Sequence, residues 1–139
     1  MQKINVMKTA QQLNAIGSSL IGAAIEVHKI LGPGLLESLY QEALKVELEF
    51  RGHSVKSEVS LPIMYREKII GKHLRIDLVI DETIIVEVKA VSELTKANEA
   101  QLLTYLKLSQ MPLGYLINFH EKTLLKGLRR MVNNFPKAA

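Results

Sequence analysis

The chain has 139 residues, of which 47% are hydrophobic, and its 18 Lys and Arg against 14 Asp and Glu give a formal net charge of +4. This length suits a single domain spanning 1–139, and the modest basic excess is compatible with a polyanionic partner but falls short of a dedicated DNA-binding patch. The chain contains no cysteine, which excludes disulfides, thiolate metal sites, iron–sulfur clusters and a cysteine nucleophile. Any metal must therefore bind oxygen or imidazole.

An apolar stretch at 16–25 superficially imitates a signal peptide. Ser18 and Ser19 interrupt it, Glu26 follows it, and it is shorter than the about 20 apolar residues that span a bilayer. We therefore expect a cytoplasmic protein without a membrane segment. A secreted or anchored form is the alternative, and it depends on whether residues 1–25 are kept in the mature chain.

Two helices are predicted within about 13–51. Apolar residues at 13–31 follow helical spacing, and Gly32-Pro33-Gly34 ends that helix. The second helix is predicted at about 35–51, followed by Gly52 as a left-handed cap. Apolar faces on both helices leave room for a homodimer.

The remaining sheet and helix core is predicted at about 54–132. Alternating apolar residues predict a first strand at 55–63, and 65–68 indicates a hairpin connection. A second strand is predicted at 69–80. The third, at 83–90, is an almost unbroken apolar run, which is typical of a central strand.

The last third of the chain adds a helix, a strand and a closing helix. The first of these helices is predicted at 95–109, and Met111-Pro112 ends it. A fourth strand follows at 113–119, and a basic helix at 123–132 closes the chain. The predicted order is α, α, β, β, β, α, β, α.

Three ionisable residues interrupt the two most apolar strands: Asp77, Glu87 and Lys89. A buried charge costs several kcal/mol unless it is paired or metal-bound. A three-residue loop at 81–83 would pair residue 77 with 87 and bring both carboxylates onto one face, with Arg75 opposite Lys89; a two-residue turn would separate them. The three-residue loop also stacks apolar rows on the reverse face, with Ile76, Leu78 and Ile80 against Ile84, Val86 and Val88.

Two carboxylates this close repel each other unless a cation lies between them, and a hard divalent cation such as Mg²⁺ or Mn²⁺ fits oxygen ligands. Lys89 could then lower the pKa of a water or stabilise developing charge, which is phosphodiester hydrolysis in outline. The alternative is that Asp77 and Glu87 are solvated charges with Lys89 as their cross-strand partner. Spacing alone favours neither interpretation.

Helical residues supply further candidates, each with a structural alternative. Glu37 borders the apolar stripe of the second helix, although an acid in the first turn is also stabilised by the helix dipole. Gln101 and Tyr105 share one face of the third helix and could position a water or a phosphate, although such a pair is usually interfacial.

Three residues form a second tier. His28 lies near the end of the first helix, where a lone histidine more often caps the helix than binds metal. Tyr40 shares the row of Glu37, and Arg75 belongs to the predicted hairpin. A basic group in the closing helix could contact phosphates, but a solvated helix face is the simpler interpretation: Lys122, Lys126, Arg129 and Arg130.

Together these residues resemble the PD-(D/E)XK nuclease superfamily, whose restriction-endonuclease-like fold is built on an αβββαβ core. Asp77, Glu87 and Lys89 match its D…ExK pattern, and Glu37 matches its helical acid. Gln101-x-x-x-Tyr105 is similar to the Gln-x-x-x-Tyr motif of the RecB and lambda-exonuclease branch. Ile76 stands where the Pro that names the superfamily would precede Asp77.

A narrower resemblance, over about 13–132, is to the small GxxExxY family of bacterial and archaeal proteins. Five segments carry it in order: Glu26-Val-His28, Leu31-Gly-Pro-Gly-Leu-Leu-Glu37-Ser-Leu-Tyr40, Ile85-Val-Glu-Val-Lys-Ala90, Glu99-Ala-Gln-Leu-Leu-Thr-Tyr-Leu106 and Gly114-Tyr-Leu-Ile-Asn-Phe119.

The resemblance implies a mixed α/β fold with a four-stranded mixed sheet flanked by helices, plus an extra N-terminal and a C-terminal helix. It also implies an Mg²⁺- or Mn²⁺-dependent nuclease acting on DNA or RNA. In that enzyme Asp77, Glu87 and Glu37 would hold the metal, Lys89 would orient or activate water, and Gln101 with Tyr105 would position substrate. The alternative is an inactive nucleic-acid-binding or partner-binding module that keeps the fold, because fold alone does not establish activity.

Overall fold

The computed structural model describes residues 7–138. In chain order the elements are α1 (Ala10–Leu31), α2 (Glu37–Phe50), β1 (Val55–Leu61), β2 (Met64–Tyr65), β3 (Lys68–Ile69), β4 (Leu74–Ile80), β5 (Ile84–Lys89), α3 (Lys96–Ser109), β6 (Leu113–Asn118), a 3₁₀ turn (Leu124–Gly127) and β7 (Leu128–Val132).

The main sheet has five strands in the order β1-β4-β5-β6-β7. Only β5 and β6 pair in parallel, and the remaining neighbours are antiparallel. Apolar residues of α1 and α2 pack on one face of this sheet and those of α3 pack on the other. The predicted mixed α/β, restriction-endonuclease-like architecture is therefore confirmed, with β5 and β6 buried at its centre.

The N-terminal helices begin and end for identifiable reasons. Thr9 and Gln12 form a capping box, in which Thr9 Oγ1 accepts from the Gln12 N–H at 3.1 Å and Gln12 Oε1 accepts from the Thr9 N–H at 2.9 Å. Helix α1 therefore starts at Ala10, three residues before the predicted start. Helix α2 starts at Glu37 because Leu36 is extended, and Gly52 has the expected positive φ of 93°.

The predicted closing helix at 123–132 is wrong. The segment makes one 3₁₀ turn and then strand β7, which pairs antiparallel with β6 from Leu113↔Val132 to Ile117↔Leu128. Without β7, the fully buried strand β6 would present unpaired backbone groups on that side, and pairing outweighs a weak helical pattern. The sheet consequently has five strands instead of the predicted four.

The predicted second strand at 69–80 is divided. Residues 68–69 pair with β2 in a separate two-stranded hairpin, and Gly71, with φ 59°, lies between it and β4. The predicted hairpin connection at 65–68 is confirmed, with positive φ at Arg66 and Glu67. We call residues 62–73 the arm, because they leave the main sheet after β1 and return to it at β4.

One predicted face is also wrong. Leu78 and Ile80 share a face with Ile84, Val86 and Val88 as expected, on the side of α1 and α2, but Ile76 packs on the other face in a cluster with residues of α3. The β1–β4 ladder lacks the pair opposite Asp77, where Glu58 has a φ of 54°. The strands are distorted at this point. Residues of β4 before and after it therefore do not keep the regular alternation between the two faces of the sheet.

Apolar side chains remain exposed on the outer side of α1 and α2: Ile30, Leu36, Leu39, Val46 and Phe50. The homodimer expected from these helices stays a prediction. Among residues 7–138, no helix combines the length and the apolar character needed to cross a bilayer.

Candidate metal and catalytic site

Glu87 is the buried acid at the centre of the candidate site. Glu87 lies in β5 and is only 5% exposed, and its Oε1 atom has no hydrogen-bond partner. Buried polar atoms are nearly always hydrogen-bonded, so an unpartnered carboxylate oxygen requires an explanation. The neighbouring strand β4 supplies a second carboxyl group, that of Asp77.

Asp77 lies beside Glu87 because the hairpin has the predicted three-residue loop at 81–83. The ladder pairs Ile80↔Ile84, Val79↔Ile85 and Leu78↔Val86, a register that sets residue 77 opposite residue 87. Regular strand pairing ends at Leu78↔Val86. Beyond it, Asp77 Oδ2 accepts a hydrogen bond from the Val88 N–H at 2.8 Å. The register of the hairpin therefore brings the two carboxylates together.

The Asp77 charge affects the ionisation of Glu87. Burial, followed by the charge of Asp77 and a hydrogen bond to it, raises the pKa of Glu87 to about 9, and Lys89 only partly opposes that rise. Without a cation, Glu87 therefore retains its proton at neutral pH. Perturbed carboxyl groups of this kind are concentrated at functional sites.

Helix α3 brings Gln101 and Tyr105 to the same face. Gln101 Nε2 donates to the Tyr105 hydroxyl at 3.0 Å. Burial raises the pKa of Tyr105, and the negative charges of Glu87 and Asp77 raise it further. The two predicted substrate-positioning residues are thus hydrogen-bonded to each other, and Tyr105 lies close enough to both carboxyl groups for their charges to affect its pKa.

Glu37 approaches the end of β5 from the other helical layer. It is the first residue of α2, and its Oε1 accepts from the Ala90 N–H at 3.3 Å. Among residues 7–138, no three His, Asp or Glu side chains lie close enough together to hold a metal ion. Asp77 and Glu87 are adjacent, and Glu37 as a third ligand stays a prediction.

Gln41 is a site residue that the sequence analysis missed. Its Nε2 donates to the backbone oxygen of Asp77 at 3.2 Å and to Glu58 Oε1 at 3.0 Å, so it connects α2 to the distorted part of β4. Its position four residues after Glu37, on the same side of α2, was the available signal.

Tyr40 and His28 have structural contacts. The Tyr40 hydroxyl donates to the Gly32 carbonyl and accepts from the Leu35 N–H, and its fully buried ring stacks on Phe119. Tyr40 therefore holds the turn before Glu37. His28 Nε2 donates to the backbone oxygen of Glu121 at 2.7 Å, which ties α1 to the loop after β6.

The basic candidates are distributed around the site. Arg75 is exposed, and its Nε atom lies 3.7 Å from Glu58 Oε2. The predicted pair between Arg75 and Lys89 does not form, because the β4–β5 ladder ends at Leu78↔Val86. Arg129 lies 3.6 Å from Glu99, and Arg130 donates to Asn14. Both arginines belong to β7, so the solvated helix face predicted for them does not exist.

One comparison with known proteins gives a match. A model of the PD-(D/E)XK nuclease superfamily matches residues 14–131 of the chain. The chain therefore belongs to the PD-(D/E)XK nuclease superfamily. Neither a search of the curated proteins nor a search of the solved structures found a match.

Proposed function

We propose that the protein is a metal-dependent nuclease that hydrolyses phosphodiester bonds of DNA or RNA and uses Mg²⁺ or Mn²⁺. The observation that carries this proposal is the buried Glu87 Oε1 atom, which has no hydrogen-bond partner and belongs to a carboxyl group beside Asp77. An unpaired buried acid costs several kcal/mol. A bound cation would displace the Glu87 proton and would offset the repulsion between the two carboxylates that then face each other.

The donor set fits a hard divalent cation. Mg²⁺ sites commonly use one or two carboxylates and complete their coordination with water and substrate phosphate oxygens. Asp77 and Glu87 would supply the two carboxylates, and Glu37 is proposed to act directly or through a water. The cation, when bound, supplies Lewis-acid polarisation of the phosphate and lowers the pKa of a coordinated water.

Lys89 is proposed to orient or activate the attacking water. It lies two residues after Glu87 and hence on the same side of β5, and its positive charge acts on the Glu87 carboxyl. Such a cation also stabilises negative charge that develops on the phosphate. Gln101 and Tyr105 are proposed to position the phosphodiester through their amide and hydroxyl groups.

We further propose that the chain is a member of the GxxExxY family. Gly34, Glu37 and Tyr40 have the spacing that names it. The contacts of Tyr40 support a physical reason for this spacing, because its hydroxyl holds the turn from Gly32 to Leu35 and so fixes where α2 and Glu37 begin.

The test is cleavage of labelled single- and double-stranded DNA and RNA with Mg²⁺, with Mn²⁺ and with EDTA. Glu87→Gln, Asp77→Asn and Lys89→Ala should each reduce cleavage by about 100-fold or more, since the first two remove a proposed metal ligand and the third removes the cation that acts on developing charge. Glu49→Gln, an exposed change on α2, is the matched control.

Two results would contradict the proposal. Cleavage that survives in both Glu87→Gln and Lys89→Ala would place the activity elsewhere. Binding of Mn²⁺ and nucleic acid by the wild-type protein without turnover on any substrate would instead support the inactive binding module.

A further inference from the structure

The arm, residues 62–73, contributes no residue to the proposed catalytic site. Its strands β2 and β3 pair with each other and not with the main sheet. Three hydrogen-bonded steps hold it together: Tyr65↔Lys68, Met64↔Ile69 and the Ile70 N–H donating to the Ile63 carbonyl at 2.9 Å.

The sheet register places the arm at the same end of the strands as the site. The β1–β4 ladder ends at Leu61↔Leu74, and the arm leaves from there. Leu74 precedes Asp77 by three residues, or about 10 Å along a strand. Because β4 and β5 are antiparallel, the C-terminal end of β5, at Lys89, lies at this same end of the sheet.

The surface of the arm is basic. Arg66, Lys68 and Lys72 are exposed against one acid, Glu67, and none of the ion pairs found among residues 7–138 includes any of the three cations. Arg75 adds a further exposed cation at the base of the arm. Exposed cations of this kind bind phosphates in a salt-dependent way.

The arm also exposes an aromatic ring beside these cations. Tyr65 is 61% exposed, and the Arg66 guanidinium carbon lies 6.0 Å from the centre of its ring. Its cross-strand neighbour is Lys68. Aromatic rings flanked by cations bind unpaired bases by stacking while the cations contact the backbone.

We infer that the arm binds single-stranded nucleic acid next to the cleavage site, with Tyr65 stacking on an unpaired base and Arg66 and Lys68 contacting phosphates. This inference rests on the proposed nuclease function for the identity of the strand that enters the site. It specifies the substrate class as one with unpaired bases near the scissile bond.

The test measures binding in EDTA, where cleavage does not occur, by fluorescence anisotropy of labelled single-stranded DNA and RNA oligonucleotides and of a duplex. Arg66→Ala/Lys68→Ala should weaken single-strand binding and reduce the slope of log K against log salt by about 1.4, because each phosphate contact contributes about 0.7. The control is Lys56→Ala/Lys107→Ala, which removes an exposed lysine near the start of β1, at the other end of the β1–β4 ladder, and an exposed lysine of α3, and it should leave the slope unchanged.

Tyr65 separates stacking from charge. Tyr65→Ala should weaken single-strand binding by about 10-fold and duplex binding much less, whereas Tyr65→Phe should bind as the wild type does. Tyr65 is exposed, so thermal unfolding of both variants should match the wild type. Equal losses on single strand and duplex would overturn the stacking role.

Several outcomes overturn the inference or separate it from the proposed function. Equal salt slopes in the arm variant, the control and the wild type would overturn it. So would unchanged affinity together with a change in molecular mass by sedimentation, which would make the arm a contact between two copies of the chain. If no metal supports cleavage but the arm variants still lose binding, the nuclease proposal fails while the inference is supported.

Discussion

The Asp77 carboxylate accepts a hydrogen bond from the backbone N–H of Val88 at 2.8 Å, at the point where paired residues of the β4–β5 ladder stop. The side chain of Asp77 thus satisfies a donor that a strand carbonyl would otherwise satisfy. This bond fixes the carboxylate next to Glu87. The same side chain therefore has a structural role and a proposed role in metal binding, and substitutions can separate the two.

Asp77→Asn should fold with nearly wild-type stability and lose activity, because the amide oxygen can still accept from Val88 but the charge is gone. Asp77→Ala leaves the Val88 N–H without its partner and should cost about 1–3 kcal/mol in the free energy of unfolding. Urea denaturation of both variants at pH 7 measures the difference. Equal stability of the two variants would contradict the structural role of the hydrogen bond.

Glu87 should make the protein less stable as the pH rises. Its pKa is raised from 4.5 in the unfolded chain to about 9 in the folded protein, so between these pH values the folded state holds a proton that the unfolded state has lost. The free energy of unfolding should therefore fall with pH in that window, by at most about 1.4 kcal/mol per pH unit. Urea titrations from pH 5 to pH 8.5, as round values inside the window, measure this slope.

Glu87→Gln should abolish that contribution and should be more stable than the wild type at the alkaline end. Glu49→Gln, whose side chain is exposed, is the control and should keep the wild-type slope. Parallel stability curves for wild type and Glu87→Gln would mean that Glu87 does not titrate as described.

Metal binding should release a proton. At pH 7 the metal-free Glu87 carboxyl is protonated, whereas a carboxylate ligand must be ionised. Apparent Mn²⁺ affinity should consequently rise with pH, by at most about tenfold per unit, until the pH approaches the Glu87 pKa. Calorimetric titration in two buffers with different ionisation enthalpies counts the protons, and a value near zero for the wild type would contradict the proposed ligand.

Tyr40→Phe should lower stability by about 1–2 kcal/mol, because the turn loses two hydrogen bonds while the ring keeps its stacking on Phe119. Cleavage should fall as well if Glu37 depends on that turn. Glu49→Gln, an exposed change on the same helix, is the control and is expected to change neither stability nor cleavage. Stability and activity are measured by urea denaturation and by initial cleavage rates.

Gly17→Ala should destabilise the protein because a side chain there would meet the Tyr115 hydroxyl, which is buried under α1. Tyr115→Phe removes that hydroxyl, so the cost of Gly17→Ala should be smaller in the Tyr115→Phe background. A double-mutant cycle of unfolding free energies measures the coupling. Additive effects would show that the close approach of helix and ring does not limit residue 17.

The Asp77–Glu87 pair was predictable from the sequence because the length of the loop at 81–83 sets the register within one hairpin. The contacts that were missed are non-local. Strand β7 forms because β6 has a free side, which residues 128–132 do not reveal by themselves. The face of Ile76 depends on a twist shared with Glu58 in another strand, and Gln41 reaches Asp77 from a helix 36 residues earlier.

The order of strands in the main sheet also has a consequence for folding kinetics. Each strand of the sheet pairs with the next sheet strand along the chain, and Asp77 and Glu87 lie in one hairpin closed by three residues. Such short-range contacts form early, since little loop entropy is lost when they close. We therefore expect the two carboxylates to come together before α2 and α3 dock, so that Glu37, Gln101 and Tyr105 are added to a pair that already exists.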